Sequence, residues 1–167
     1  LKERVEQVGR RLRELRRDGE GVGVSIDNLR RQLLGDAQHP TFLWRVDFAE
    51  VFQEKGGFDV MMANPPYVRQ EKIKHLKPSL KDVYPEVYHG VADIYVYFYA
   101  QGLRQLRDDG TLVYISSNKF MRAGYGQTLR RLLGQQVTLQ TIIDFGDLPV
   151  FEATIYPTVL VVRNRPP

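Results

Sequence analysis

A chain of 167 residues, 43% hydrophobic and 11% aromatic, is long enough for one domain with a buried core. It contains no apolar run near the about 18 residues that a membrane-spanning helix needs, and residues 1–11 lack the apolar stretch of a secretory signal. The absence of cysteine excludes disulfides and thiolate metal sites, while a net charge of +4 is compatible with a polyanionic partner without requiring one. These features together favour a cytoplasmic protein.

In chain order, Leu1, Val5, Val8, Leu12 and Leu15 recur at spacings of four and three, which predicts a narrow apolar stripe on a helix over residues 1–18. Arg10, Arg11, Arg13, Arg16 and Arg17 surround that stripe. It fits a helix packed on the domain, a helix short of its partner, or a start of a coiled coil, and the arginines alternatively fit phosphate contact. A glycine-rich break at Gly19–Gly23 leads to a second short helix from about Ile26 to Leu34. Residues 1–38 are therefore set apart as an N-terminal helical segment, with 39–167 as the main domain.

Residues 41–46 read as a short strand ending at Asp47. Phe58–Ala63 is a nearly continuous apolar run that stops at two prolines, the pattern of a strand buried on both faces. Residues 68–91 are loop-like. A helix is expected from Asp93, a plausible N-cap, to about Leu106. Asp108-Asp109-Gly110 reads as a turn into a strand over Thr111–Ser116. A helix over Gln127–Leu133 and strands over Leu139–Phe145 and Thr158–Val162 complete the pattern. Alternation of this kind predicts an α/β fold with a largely parallel sheet, whose working residues sit beyond the carboxyl ends of the strands. Asp47, Asn64 and Ser116-Ser117-Asn118 all fall there.

Asn64-Pro65-Pro66-Tyr67, directly after an apolar strand, carries the most chemistry. Neither proline has an N–H, and their fixed φ angles would hold the Asn64 side-chain oxygen and the Pro65 carbonyl in a set relation. Two fixed acceptors can take both protons of a planar amino group, and Tyr67 offers a face on which its ring could stack. Read blandly, the same four residues are a two-proline turn ending a strand.

The motif resembles the NPPY motif of amino-group methyltransferases, specifically the adenine-N6 DNA class. Phe58-Asp59 before it, and residues 92–98, Asn118-Lys119-Phe120 and residues 143–151 after it, resemble the same family in the same order. The last two blocks look like the adenine methyltransferases fused to restriction enzymes, the type IIG class. The likeness runs from about Thr41 to Val162. It implies a partial Rossmann-like sheet dependent on S-adenosylmethionine, with double-stranded DNA as the partner and a target adenine flipped out of the duplex. It further implies catalytic roles for Asn64, Pro65, Pro66 and Tyr67, stacking of the target base between Tyr67 and Phe151, and a hydrogen bond from the donor's adenine amino group to Asp47.

The family also uses a glycine-containing donor loop after its first strand, and no such stretch stands before Asn64. Gly19–Gly23 follows a charged helix, and Gly124-Tyr125-Gly126 lies too far along. The expectation is a fragment that lacks both this loop and a target-recognition domain and is inactive alone. An uncovered edge beside residues 58–63 would then invite self-association.

Arg69, Lys72, Lys74, Lys77 and Lys81, interleaved with Tyr84 and Tyr88, suit a surface that tracks a nucleic-acid backbone, or else a solvated loop. His75 and His89 lack partners at metal-ligand spacing, and Ser116-Ser117 lacks the glycines of a hydrolase nucleophile. No metal is expected. Two alternatives stay open: a methyltransferase acting on a protein glutamine or an RNA guanine, which uses a similar turn, and a non-catalytic module for DNA binding or assembly.

Overall fold

The computed structural model describes residues 44–151 and 156–167, and the expected N-terminal helices lie outside that range. The chain divides into two compact units, residues 1–49 and 50–167. In the first, Trp44–Asp47 forms a short helix (α1), and the Trp44 and Phe48 rings stack at 5.9 Å one turn apart. This corrects the strand expected over residues 41–46: of its described residues, 44–46 are helical. A turn of helix closes on a local bond, here from the Phe48 N–H to the Trp44 carbonyl at 2.9 Å, whereas a strand needs a neighbour.

The second unit is built on a four-stranded sheet. Helix α2 (Ala49–Glu54) leads to β1 (Phe58–Ala63), and a short helix α3 (Lys77–Val83) follows. Helix α4 (Ile94–Gln105) then returns the chain to β2 (Leu106–Ser117), and α5 (Gln127–Gln136) leads to β3 (Thr138–Asp144) and β4 (Pro157–Arg163). The strand order is β1-β2-β4-β3. β1 and β2 are parallel, as a strand–helix–strand connection demands, but β4 runs antiparallel to both neighbours. The sheet is thus mixed rather than largely parallel. Only twelve residues separate β3 from β4, and no helix is described among them, so the chain turns back instead of crossing over.

The core lies where α4 meets β2. Tyr95, Val96, Tyr99, Ala100 and Leu103 of the helix are buried, as are Leu112 and Tyr114 of the strand and Leu160 and Val162 of β4. Each such aliphatic side chain contributes on the order of 1.5–3 kcal/mol. Gly102 allows the close approach: a Cβ there would stand 2.8 Å from Leu112 Cδ1 and 2.9 Å from Tyr114 Cζ. β1, by contrast, is an edge strand of the described sheet, with Val60 52% and Met62 74% exposed. The expectation that it is buried on both faces is therefore not met. Its apolar run reflects one packed face, carrying Met61 and Ala63, and one open face.

Asp108-Asp109-Gly110 does not end an element but bulges within β2. The pairing jumps from Phe58↔Leu106 to Val60↔Thr111, and Asp109 adopts φ +59°. Asn164 brackets the bulge, its carbonyl accepting from Asp109 N–H at 3.0 Å and its N–H donating to the Gly110 carbonyl at 2.8 Å. Beside it, Asp59 receives Lys55 Nζ at 2.8 Å and Arg107 Nε at 2.6 Å. Those two donors, Lys55 first, hold the Asp59 carboxyl down to about 2 from 3.8. Because the folded value is the lower one, the stabilisation is present above 3.8 and is lost as pH falls through about 2. A carboxyl titration by NMR is expected to show this low midpoint, and to show it rise in Lys55→Ala.

Candidate active site

Three of the four described strands present their carboxyl ends to one side of the sheet. β1 ends at Ala63, β2 at Ser117 and β3 at Asp144, while antiparallel β4 begins there at Pro157. The pairings Ser116↔Thr158 and Asp144↔Thr158 place the last two ends level. Asn64-Pro65-Pro66-Tyr67 emerges at this rim, where prolines that cannot donate to the ladder stop β1. Pro65 is fully buried and anchors the turn, while Asn64 is exposed and its side chain makes no hydrogen bond among the described residues.

Tyr67 is held from the far side by the start of α4. The Ile94 N–H donates to the Val68 carbonyl at 3.1 Å, and the Gln70 N–H donates to Asp93 Oδ1 at 2.9 Å. Asp93 does sit at the N-cap of α4, but its side chain is spent on this loop rather than on the helix. The Tyr67 ring lies against Phe151, centroids 6.2 Å apart and planes inclined by 59°. Its buried hydroxyl has no hydrogen-bond partner among the described residues, and burial raises its pKa.

Behind the motif is a tyrosine cluster that sequence reading did not single out. Tyr99 is fully buried, shares a 2.9 Å hydrogen bond with Ser116 Oγ, and packs on Tyr114 at 5.1 Å and Phe120 at 5.8 Å. Burial pushes its hydroxyl pKa up, with the Ser116 hydrogen bond opposing and the nearby Tyr67 adding to the rise. Burial likewise raises Tyr114 to about 12. The spacing of Tyr95 and Tyr99, one helical turn apart, was the available signal. Ser116 is thus a buried partner of Tyr99.

The 68–91 segment is more ordered than a loop. Lys77 is 8% exposed, donates to the Ala92 carbonyl at 2.6 Å and stands 5.3 Å from the Tyr97 ring centre. Burial lowers its pKa against the opposing pull of Asp93. Tyr84 donates to Gln101 Oε1 at 2.7 Å under the Arg104 guanidinium. Neither side chain belongs to an open basic–aromatic surface, which leaves Arg69, Lys72, Lys74 and Lys81 exposed along it. His89 Nδ1 accepts from the Val91 N–H at 3.3 Å, an ordinary turn contact. Gly126 serves packing, since a Cβ there would strike the Phe120 backbone.

The structure therefore brings Asn64, Pro65, Pro66, Tyr67 and Phe151 to one rim. Asp47 belongs to the other compact unit, in helix α1.

This mixed sheet, a parallel strand–helix–strand pair with an antiparallel strand inserted beside it, is a fold shared with solved proteins. A protein of Listeria monocytogenes described as a class I S-adenosylmethionine-dependent methyltransferase superposes with TM-score 0.50 at 14% identity, covering 66% of this chain and 34% of its own. A protein of Vibrio vulnificus described as a modification subunit of a type I restriction enzyme does so with TM-score 0.52 at 20% identity, covering 68% and 24%. Residues 9–151 match the Eco57I restriction-modification methylase family, and the chain belongs to that family. It is 34% identical over 126 residues to the type II methyltransferase M.BstVI of Geobacillus stearothermophilus, covering 74% of this chain and 22% of that protein. It is 33% identical over 114 residues to M.PaeR7I of Pseudomonas aeruginosa, covering 66% and 20%. With RM.Eco57I of Escherichia coli, a type II restriction enzyme and methyltransferase, it shares 32% over 111 residues, covering 65% and 11%. The chain spans about a fifth of the first two relatives.

Proposed function

We propose that the chain forms the base-holding part of a longer DNA methyltransferase that methylates adenine N6 in a restriction–modification system. The observation that carries this reading is the Asn64–Tyr67 turn at the sheet rim with Tyr67 set against Phe151. Asn64, exposed and uncommitted, accepts one amino proton of a flipped adenine through its side-chain oxygen, and the Pro65 carbonyl accepts the other. Both acceptors favour the more tetrahedral nitrogen that develops as its lone pair attacks. The adenine ring stacks between Tyr67 and Phe151. A centroid spacing of 6.2 Å is short of the about 7 Å that a ring sandwiched at about 3.5 Å on each side requires, and the planes are inclined by 59°, so one ring has to move away and turn to admit it.

S-adenosylmethionine supplies the electrophilic methyl on a sulfonium when bound. The Asn64 side-chain oxygen and the Pro65 carbonyl would hold the amino nitrogen that receives this methyl, and the surplus proton of that nitrogen would pass to solvent. The residues at the rim fit the base half of this reaction: an amide acceptor on Asn64 and the two aromatic faces of Tyr67 and Phe151. For the donor half, Asp47 is the residue proposed to accept from the donor's own adenine amino group. Exposed Arg69, Lys72, Lys74 and Lys81 are proposed to follow the DNA phosphates. No helix among the described residues is long and apolar enough to cross a membrane, and we place the enzyme in the cytoplasm. Val60 and Met62 on the β1 edge support self-association of the chain in isolation.

The test is methyl transfer by the full-length protein from methyl-labelled S-adenosylmethionine to duplex DNA, with the digested nucleosides identified by mass spectrometry. Labelled N6-methyladenine is the expected product. Label in protein glutamine or in RNA guanine would reassign the substrate, and DNA binding without transfer would make the domain a non-catalytic module.

A further inference from the structure

We propose that Asn118 is the positioning residue that sets Phe151 against Tyr67, an inference that rests on these two rings being the faces for the target base. Asn118 directly follows β2 and bonds to the chain on either side of Phe151. Its side-chain Nδ2 donates to Asp144 Oδ1 at 3.0 Å, at the last residue of β3. Its backbone N–H donates to the Tyr156 carbonyl at 2.8 Å, immediately before β4. One residue of β2's exit thus ties the end of one neighbouring segment to the start of another.

From Asp144 the hold is passed along the backbone to Phe151. The Gly146 N–H donates to the same Asp144 Oδ1 at 3.1 Å, and the Phe145 N–H donates to the Pro157 carbonyl at 3.1 Å. The Leu148 N–H donates to the Phe145 carbonyl at 3.0 Å, and the Val150 N–H to the Leu148 carbonyl at 2.8 Å. Gly146 has φ +54°, which lets the first of these turns close without strain. Phe151 is the next residue. Asp147, Leu148, Pro149 and Val150 are all exposed, so hydrogen bonds rather than core packing fix the course of this stretch. Asn118 is its link to the central strand.

A role confined to local stability and a role in ring placement differ in one readout, the contact between the Tyr67 and Phe151 rings. It can be followed in this chain as a nuclear Overhauser cross-peak, with the core pair Tyr99–Tyr114 as the internal standard. Asn118→Ala keeps the backbone donor and deletes Nδ2; the Tyr67–Phe151 cross-peak is expected to be lost while Tyr99–Tyr114 persists. Asp144→Ala is expected to do the same, and Asp144→Asn, which keeps the accepting oxygen, to restore it. If Asn118→Ala also loses the core cross-peak it has unfolded, and the Asp144 pair decides. A Tyr67–Phe151 cross-peak that survives in folded Asn118→Ala or Asp144→Ala overturns the proposal. Because neither DNA nor donor is needed, this result stands apart from the methylation test. In the full-length enzyme, Asn118→Ala is expected to lower kcat/KM for DNA and to leave KM for the donor unchanged. A wild-type enzyme without transfer would sink the functional reading while the ring placement remained measurable.

Discussion

Replacing Asn64 with alanine in the full-length enzyme is expected to lower the rate of methyl transfer by about 100- to 1000-fold, the loss seen when one preorganised transition-state hydrogen-bonding group is removed. Stability should hardly change. Asn64 is exposed and makes no side-chain hydrogen bond among the described residues, so its truncation belongs with surface substitutions worth within about 0.5 kcal/mol. The turn is anchored elsewhere, by buried Pro65 and by the Val68 and Gln70 bonds to the start of α4. Turnover and thermal unfolding measured on the same preparation separate the two effects. A variant that loses activity only in proportion to lost folded protein would deny Asn64 its role.

Tyr99→Ala is expected to show the reverse pattern, a loss of stability on the order of 3–5 kcal/mol, as for other buried aromatic truncations. Its ring is fully buried between Tyr114 and Phe120, where α4 crosses β2, and little around it is free to collapse. Tyr99→Phe isolates the hydroxyl. It leaves buried Ser116 Oγ without its partner and should cost about 1–3 kcal/mol. Urea denaturation of the two variants gives both values. If the phenylalanine variant is as unstable as the alanine one, the hydrogen bond and not the ring packing holds this junction.

The sequence made the rim legible and left its supports hidden. Asn64–Tyr67 after an apolar run is a local pattern, and so is the helix that begins behind Asp93; both stand within a residue or so of where the pattern puts them. Phe151 carries no local signal and enters through family likeness alone; the structure sets its ring 6.2 Å from that of Tyr67. What the Asp93 carboxylate does was not legible, because an N-cap and a clamp on a segment 23 residues earlier look alike in sequence. Lys77 read as one more surface charge, since nothing local announces that a carbonyl and a tyrosine ring enclose it. The strand expected at Trp44 failed because a pair of aromatics four residues apart suits a helical turn as well as a strand. The openness of β1 depends on which strand lies beside it, a fact of topology that no run of six residues contains.

The inserted position of β4 bears on how the domain is made. The last of the described strands lies inside the sheet, between β2 and β3. As the polypeptide leaves the ribosome, β3 therefore has no partner among the described strands until residue 163 is clear, although β1, α4 and β2 are already able to assemble. Synthesis at about 5–20 residues per second leaves the stretch from Thr138 to Arg163 waiting for roughly a second or more, with the hydrophobic edge of β2 uncovered. The nascent chain is most vulnerable to sticking to its neighbours during that interval, and slowing elongation before the last strand would lengthen it.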